Sequence, residues 1–414
     1  MKLLHTADIH LGSNTYGRLD AATGMNTRLL DFKRSFDFMV QRALEEDVDL
    51  FLFAGDAYRT ADPTPTQQQV FAECLKPIAD RGIPIVMIVG NHDHPVSFGK
   101  ASAIDIFRYI DGDVHVFRKP DVAVIETKSG PLQLIALPWP IRSMLLSKEE
   151  HRKKTPTEIR AFIEEKYTRF VEEAVESLDH SLPVVLAAHL TVRGAEMSGS
   201  ERTSLIAHEP TWGVGQLALP AIDYVALGHI HRYQNRNGDQ LPPVIYSSSI
   251  ERISFKEWDD RKGFVLVNIA SDGAGKATTY DYVDTPARRF IPIQVDARNT
   301  PDPTEKILQA IARLDITDAI VRVRYHIDEN QAVQLDVHRI REALRGCFCI
   351  ASIERTVDPV ERQRRTVVTH DTDLRDAMTQ YIAQHDHLGS LKDELIEAAL
   401  HIEDEYESRR KAEA

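Results

Sequence analysis

Only three cysteines occur in 414 residues, Cys74, Cys347 and Cys349, too few for a framework of bridges. The pair in Cys347-Phe348-Cys349 has the wrong spacing for a zinc or redox motif, so the two are expected to share one face of a strand. A reducing cytoplasm is the expected compartment. No run approaches the roughly 18 uncharged apolar residues of a membrane span. Met1-Lys2-Leu3-Leu4-His5 leads straight into a first strand, so neither a leader nor a membrane span is expected. Positive charge is not in excess either: the net charge of −13 argues against binding nucleic acid by bulk electrostatics but leaves room for a local basic groove, so charge alone is neutral evidence. Apolar residues at 43% are ample for a core, and the length predicts two or three domains.

What is present is a set of apolar runs that end in polar clusters. Leu3-Leu4-His5-Thr6 is followed by Asp8-Ile9-His10, Leu50 to Ala54 by Gly55-Asp56, and Ile83 to Val89 by Gly90-Asn91-His92-Asp93. Val184 to Ala188 ends in His189, and Tyr224 to Leu227 in Gly228-His229-Ile230-His231. Such runs read as buried strands that stop where the backbone turns sharply. In open α/β sheets the loops leaving the carboxyl ends of strands converge on one crevice. Asp8, His10, Asp56, Asn91, His189, His229 and His231 would then meet.

Two carboxylates, one amide and four imidazoles suit Mn²⁺, Fe²⁺ or Zn²⁺. They are too many ligands for one catalytic ion, and two ions about 3.5–4 Å apart can clamp the attacking and leaving oxygens of a phosphoester. Asp56 is the expected bridge, because it follows a glycine that lets the backbone approach closely. One buried histidine is usually a satisfied core residue. Five strand-terminal clusters that all end in metal-ligating types are hard to explain by fold stability, since unpaired buried polar groups are costly.

Apolar periodicity predicts helices over Thr27 to Asp47, from Thr66 through Ile78, a short one over Ser102 to Ile110, and one over Thr157 to Leu178. Ile104, Ile106, Phe107 and Ile110 of the short helix could pack inside or form part of a dimer face, and core packing is the better reading. Antiparallel strands are expected between Val114 and Pro138, a long loop over Arg193 to His208, strands over Pro243 to Ser249 and Gly263 to Ile269, and a hairpin turn at Asp272-Gly273. From Arg289 a βαβαβ order runs through Phe290 to Val295, Asp302 to Leu314, Ala319 to Ile327, Asp336 to Leu344 and Phe348 to Thr356. A charged linker follows, then two amphipathic helices, Asp373 to Gln384 and Leu391 to Glu407, whose apolar stripes need either the chain or a partner to cover them.

The motifs Asp8-x-His10, Gly55-Asp56, Gly90-Asn91-His92-Asp93, His189 and Gly228-His229-x-His231 resemble the calcineurin-like metallophosphoesterases. With Leu4 to Gly12, Ser198 to Arg202 and Tyr246 to Arg252, the layout resembles the SbcD nuclease branch, counterpart of the meiotic-recombination nuclease. That resemblance implies an α/β fold: a two-sheet α/β sandwich core (1–287), a small βαβαβ capping domain (288–358), a linker (359–372) and a helical ATPase-docking segment (373–410). It also implies one ion on Asp8, His10, Asp56 and His231, and the other on Asp56, Asn91, His189 and His229. His92 would protonate the leaving oxygen or stabilise developing charge, with Asp93 orienting it. Ser200, Arg202, Arg232, Ser249 and Arg252 would contact DNA.

Two departures stand out. Arg59 occupies a place where some members have a second catalytic histidine, and could stabilise phosphate charge there; Ser248 replaces a usual glycine. The implied activity is a two-Mn²⁺ DNA nuclease, with Mg²⁺, Fe²⁺ or Zn²⁺ as substitutes, acting as a 3′ to 5′ double-strand exonuclease and single-strand or hairpin endonuclease. Its partner would be an SbcC-type coiled-coil ATPase in a two-plus-two complex built on a homodimer, cytoplasmic and nucleoid-associated, with no membrane. The rivals are a small-molecule phosphodiesterase or phosphatase on the same metal core, and a scaffold that mainly tethers DNA ends.

Overall fold

A computed structural model describes residues 1–94, 100–109, 111–141, 154–199, 209–271, 276–328, 335–357, 373–383 and 386–412. The chain begins β1 (Lys2–Thr6), α1 (Thr27–Glu45), β2 (Leu50–Phe53), α2 (Pro65–Asp80), β3 (Ile85–Ile88) and β4 (Val114–Phe117). It continues β5 (Asp121–Thr127), β6 (Gly130–Leu137), α3 (Pro156–Glu176), β7 (Val184–His189), β8 (Thr191–Val192), β9 (Thr211–Trp212), β10 (Tyr224–Gly228), β11 (Gln234–Asn235), β12 (Val244–Tyr246), β13 (Gly263–Ser271) and β14 (Lys276–Asp284).

Among the described residues these strands form two six-stranded sheets, ordered β14-β13-β1-β2-β3-β4 and β11-β12-β10-β7-β6-β5. β1 to β4 run parallel to one another, as do β6, β7, β10 and β12, so the motif-bearing strands of each sheet end on one edge. Alternation explains why their sequences read as unbroken apolar runs. Leu50, Leu52, Val86 and Ile88 point between the sheets and meet Leu134, Val185, Ala187 and Ala226. Phe51, Phe53, Ile85 and Met87 point the other way, onto Phe36 of α1 and Phe71 of α2. On the far side Ile135, Leu186 and Val225 pack on Ile163 and Tyr167 of α3. Both faces of these central strands are thus buried, which removes the polar half of the usual strand pattern.

The helix ends follow local chemistry. Thr64 and Thr155 each close a capping box with Gln67 and Glu158, and a proline occupies the first helical turn. The short helix expected over Ser102 to Ile110 is a 3-10 turn, Asp105–Tyr109. Residues three apart eclipse in such a turn, so Ile104 and Phe107 are buried while Ile106 is 54% exposed, against the expectation that it packs inside. Ile110, the Asp272-Gly273 turn and the expected linker lie outside the described residues. The antiparallel pairing of β13 with β14, from Gly263 opposite Asp284 to Ser271 opposite Lys276, extends the sheet by a strand that the apolar pattern does not announce.

Beyond β14 come β15 (Phe290–Asp296), α4 (Pro303–Ala312), β16 (Ile320–Ile327), α5 (Val337–Ala343) and β17 (Cys349–Val357), a parallel three-stranded sheet in chain order. Its core joins Ile293, Val321 and Val323 with Ile307, Ile311 and Ile340. Cys347 sits in the turn before β17 and only Cys349 belongs to the strand, so the pair does not share a strand face as expected. α6 (Leu374–Ala383) and α7 (Lys392–Ala412) pack on each other at the end of the chain, with Tyr381, Leu391, Ile402 and Tyr406 exposed. No helix of the described residues is long and apolar enough to cross a membrane.

Candidate metal centre

The strand-end loops do converge. Asp8 and His10 follow β1, Asp56 follows β2, Asn91 follows β3, His189 is the last residue of β7, and His229 and His231 follow β10. Asp8, His10, Asp56 and His229 all have positive φ, at 54°, 50°, 63° and 95°. L-residues rarely adopt that backbone, and here it turns side chains off the strand axis into the crevice. Gly55, at φ 100°, lets the loops touch: a Cβ there would lie 2.3 Å from His189 Nδ1. A Cβ at Gly90 would lie 2.1 Å from Asp56 Oδ1.

Two donor clusters result. His10 Nε2 and His231 Nε2 face each other at 3.0 Å, with Asp8 Oδ1 4.0 Å from His10 Nε2. Asn91 Oδ1 lies 3.0 Å from both His189 Nε2 and His229 Nδ1. Asp56 Oδ2 stands between the clusters, 3.6 Å from His10 Nε2 and 3.4 Å from His189 Nε2. Its other oxygen, Oδ1, accepts the His92 N–H at 2.8 Å. Sets drawn from Asp8, His10, Asp56, His92, His189 and His231 could hold an ion. The fit rests on lone pairs: buried imidazole nitrogens aimed at one another have no favourable partner except a proton or a cation between them.

Charge at the site follows the same logic. Burial is the largest influence on His189 and pushes it down, but the Asp56 carboxylate, Asp8 and the Ala54 carbonyl together raise its pKa to about 9. A proton on His189 Nε2 thus holds, in the metal-free chain, the place of a positive ion. Burial opposes the charge of Asp56 too, yet His189 and its neighbours hold it well below the usual carboxylate range. Asp8 is raised to about 6, chiefly by burial. His10 lies well below the usual histidine range because burial disfavours its charge.

His92 lies beside His10, ring centroids 4.7 Å apart, and its Nδ1 donates to the Arg59 carbonyl at 2.9 Å. Burial lowers its pKa, so it is neutral at pH 7. Asp93 does not orient it. The Asp93 carboxylate instead accepts the N–H groups of Asp56 (2.8 Å), Ala57 (2.9 Å) and Gly90 (2.9 Å), bracing the two ligand loops against each other. Arg59 is half-buried, and its charge helps to depress both His10 and His92.

The expected DNA contacts divide. Ser200 and Arg202 lie outside the described residues. Arg232 is at the surface, its side chain 46% exposed beside Glu196. Ser249 is fully buried and its hydroxyl is bound by Lys262 and to the Glu251 carbonyl. Arg252 spends its guanidinium on the carbonyls of Glu257, Asp260 and Arg288. Both residues brace the loop: the Ser249 hydroxyl is buried among its partners, and each nitrogen of the Arg252 guanidinium donates to a backbone carbonyl.

Three side chains carry no signal in the sequence. Trp139 stacks on His229 with centroids 4.8 Å apart, Glu209 lies 3.2 Å from His229 Nε2, and Glu257 lies 3.0 Å from His231 Nδ1. Trp139 stands just past the end of β6 but is not a metal-ligating type, and no spacing pattern announces Glu209 or Glu257. Ser248, at φ 74°, keeps the left-handed backbone of the glycine it replaces, and its buried hydroxyl donates among the carbonyls of His231, Ser249 and Arg261.

The pattern of the calcineurin-like phosphoesterases matches residues 1–233. The chain is similar to the SbcD component of the SbcCD nuclease of Bacillus subtilis, 32% identical over 281 residues that cover 65% of this chain and 66% of the relative. It is also similar to the SbcD component of the Escherichia coli nuclease, 25% identical over 298 residues covering 69% and 68%. Among solved structures, a dimetal phosphatase from Danio rerio is 11% identical, covering 67% of this chain and 98% of that one with a TM-score of 0.41. The family match takes in all five strand ends, from Asp8 to His231, and the chain belongs to the calcineurin-like phosphoesterases.

Proposed function

We propose that the chain is a metal-dependent DNA nuclease in which Asp56 bridges two ions, one on Asp8, His10 and His231, the other on Asn91, His189 and His229. The observation that carries this reading is the position of Asp56 Oδ2, within 3.6 Å of one donor cluster and 3.4 Å of the other. Two bound divalent ions, Mn²⁺ in this reading and Mg²⁺, Fe²⁺ or Zn²⁺ as substitutes, supply the positive charge that holds the attacking and leaving oxygens of a phosphodiester.

The chain's own groups do the rest. The Arg59 carbonyl fixes the His92 tautomer with Nδ1–H, which turns Nε2 toward substrate. An arriving phosphate raises the proton affinity of His92, so Nε2 can deliver a proton to the leaving oxygen. The Arg59 guanidinium adds charge stabilisation on the same side. Asp93 keeps the Asp56 and Gly90 loops in register.

The likeness to two nuclease components supports DNA as the substrate, cut as a 3′ to 5′ double-strand exonuclease and a single-strand or hairpin endonuclease. Arg232, with the Ser200 and Arg202 loop, would follow the DNA backbone. The exposed Tyr381, Leu391, Ile402 and Tyr406 of the terminal helices support docking on a coiled-coil ATPase of the SbcC kind, in a two-plus-two complex in the cytoplasm at the nucleoid.

The test is incubation with Mn²⁺, end-labelled duplex DNA and, separately, bis-p-nitrophenyl phosphate. Mn²⁺-dependent shortening of the duplex is the expected result. Turnover of the small ester with intact DNA, in the presence of the ATPase, would replace this reading with a small-molecule phosphodiesterase.

A further inference from the structure

The loop that follows β12 carries a second layer of polar groups that the phosphoesterase motifs do not include. Glu257 and Lys262 are 0% and 2% exposed and form an ion pair at 2.9 Å. A buried ion pair is a poor source of stability, because desolvation offsets most of the attraction. What this pair holds is specific. Glu257 Oε1 accepts from His231 Nδ1 at 3.0 Å, and Lys262 Nζ donates to the His231 carbonyl at 3.0 Å. The same residue is thus gripped at its ring and at its backbone.

Each partner is anchored in turn. Glu257 Oε2 accepts the Ile253 N–H at 3.0 Å, and Lys262 Nζ also donates to Ser249 Oγ at 2.9 Å. The Ser248 hydroxyl donates to the His231 carbonyl at 2.9 Å. With Nδ1 committed to a carboxylate, the His231 lone pair is fixed on Nε2, which faces His10 Nε2. His10 has no such support among the described residues, where its buried Nδ1 has no hydrogen-bond partner. The orientation of the first donor cluster therefore depends on the grip on His231.

We propose that Glu257 and Lys262 are a positioning pair that sets the tautomer and ring orientation of His231 and so the affinity of one of the two ion sites. The proposal rests on the dinuclear reading above. It predicts an asymmetric defect: loss of the pair weakens the site that contains His231 and spares the site of Asn91, His189 and His229.

The experiment is a calorimetric titration of Mn²⁺ into the chelator-stripped full chain, with the absorption spectrum of the Co²⁺-loaded protein as a second readout. Wild type is compared with Glu257→Gln and with Glu257→Gln/Lys262→Met, which removes both charges and so avoids stranding one in the interior. One of two binding steps should weaken by about 10–100-fold, the other should hold, and only one Co²⁺ signal should change. Both steps unchanged in a folded double variant, or both weakened alike, would overturn the positioning role. A wild type that binds fewer than two ions would instead remove the dinuclear reading on which it rests.

Discussion

The metal-bearing sandwich and the three-stranded unit after Arg289 both use parallel strands joined by helices, but they treat strand ends in opposite ways. In the C-terminal unit β15, β16 and β17 lie in chain order, and α4 and α5 begin at aspartate caps, Asp302 and Asp336, that accept the N–H three residues on. Its left-handed residues outside glycine are, among the described residues, Asn299 and Asp318, types that tolerate such turns. The sandwich instead places Asp8, His10, Asp56 and His229 in left-handed backbone and buries their polar atoms. Local rules hold where the chain only needs to fold, and fail where it must gather ligands.

Breaking the sandwich side of the contrast should have the largest effect. Asp56→Ala removes the one oxygen shared by both clusters, so ion content should fall at both sites and ester turnover should drop to background. Retention of two ions per chain would refute the bridge. Next comes His92→Gln, which should lower turnover by about 10²–10⁴-fold with ion content intact, the usual worth of a general acid; loss of ions would show that His92 is a ligand.

Packing sharpens the same contrast. Gly55→Ala would drive a Cβ to 2.3 Å from His189 Nδ1 at a φ of 100°, and should cost about 1–3 kcal/mol in denaturant unfolding and weaken ion binding. Gly346→Ala, in the C-terminal unit, meets nothing within 4 Å and should be nearly silent in both measurements. Asp302→Ala, at a helix cap, should cost about 1 kcal/mol without touching ion content.

Proton competition is the gentlest probe. His189, raised to about 9 by Asp56, is protonated at pH 7 in the metal-free chain and must lose that proton to ligate. Ion affinity should therefore rise with pH by about tenfold per unit up to about pH 9, and more steeply below about pH 6, where Asp8 also holds a proton. The metal-free fold should respond in the opposite sense. A raised histidine stabilises below its ordinary value near 6.5 and loses that contribution as pH rises through about 9. Titrations at pH 6 and pH 8.5 check the first trend, and equal affinities would contradict it.

The comparison also explains what could be read in advance. Runs such as Leu50 to Phe53 announce strands because both faces are apolar, and the polar residue that ends each run announces the crevice. The C-terminal elements fall within a few residues of their expected bounds, since caps and periodicity are local signals. Asp93, Glu257 and Ser249 were not legible in their true roles. Asp93 braces backbone 36 and 37 positions away, and Glu257 reaches a histidine 26 positions away, contacts set by loop geometry that no spacing rule encodes. Ile106 shows the smaller failure, a helical reading of a stretch whose 3-10 turn exposes it.

The central claim is that one carboxylate oxygen joins two ion sites, and a Mn²⁺ titration of the chelator-stripped wild-type chain tests it most directly. Two ions bound per chain, with both steps lost in Asp56→Ala, is the predicted result. A single ion per chain, or two steps that survive in Asp56→Ala, would contradict it.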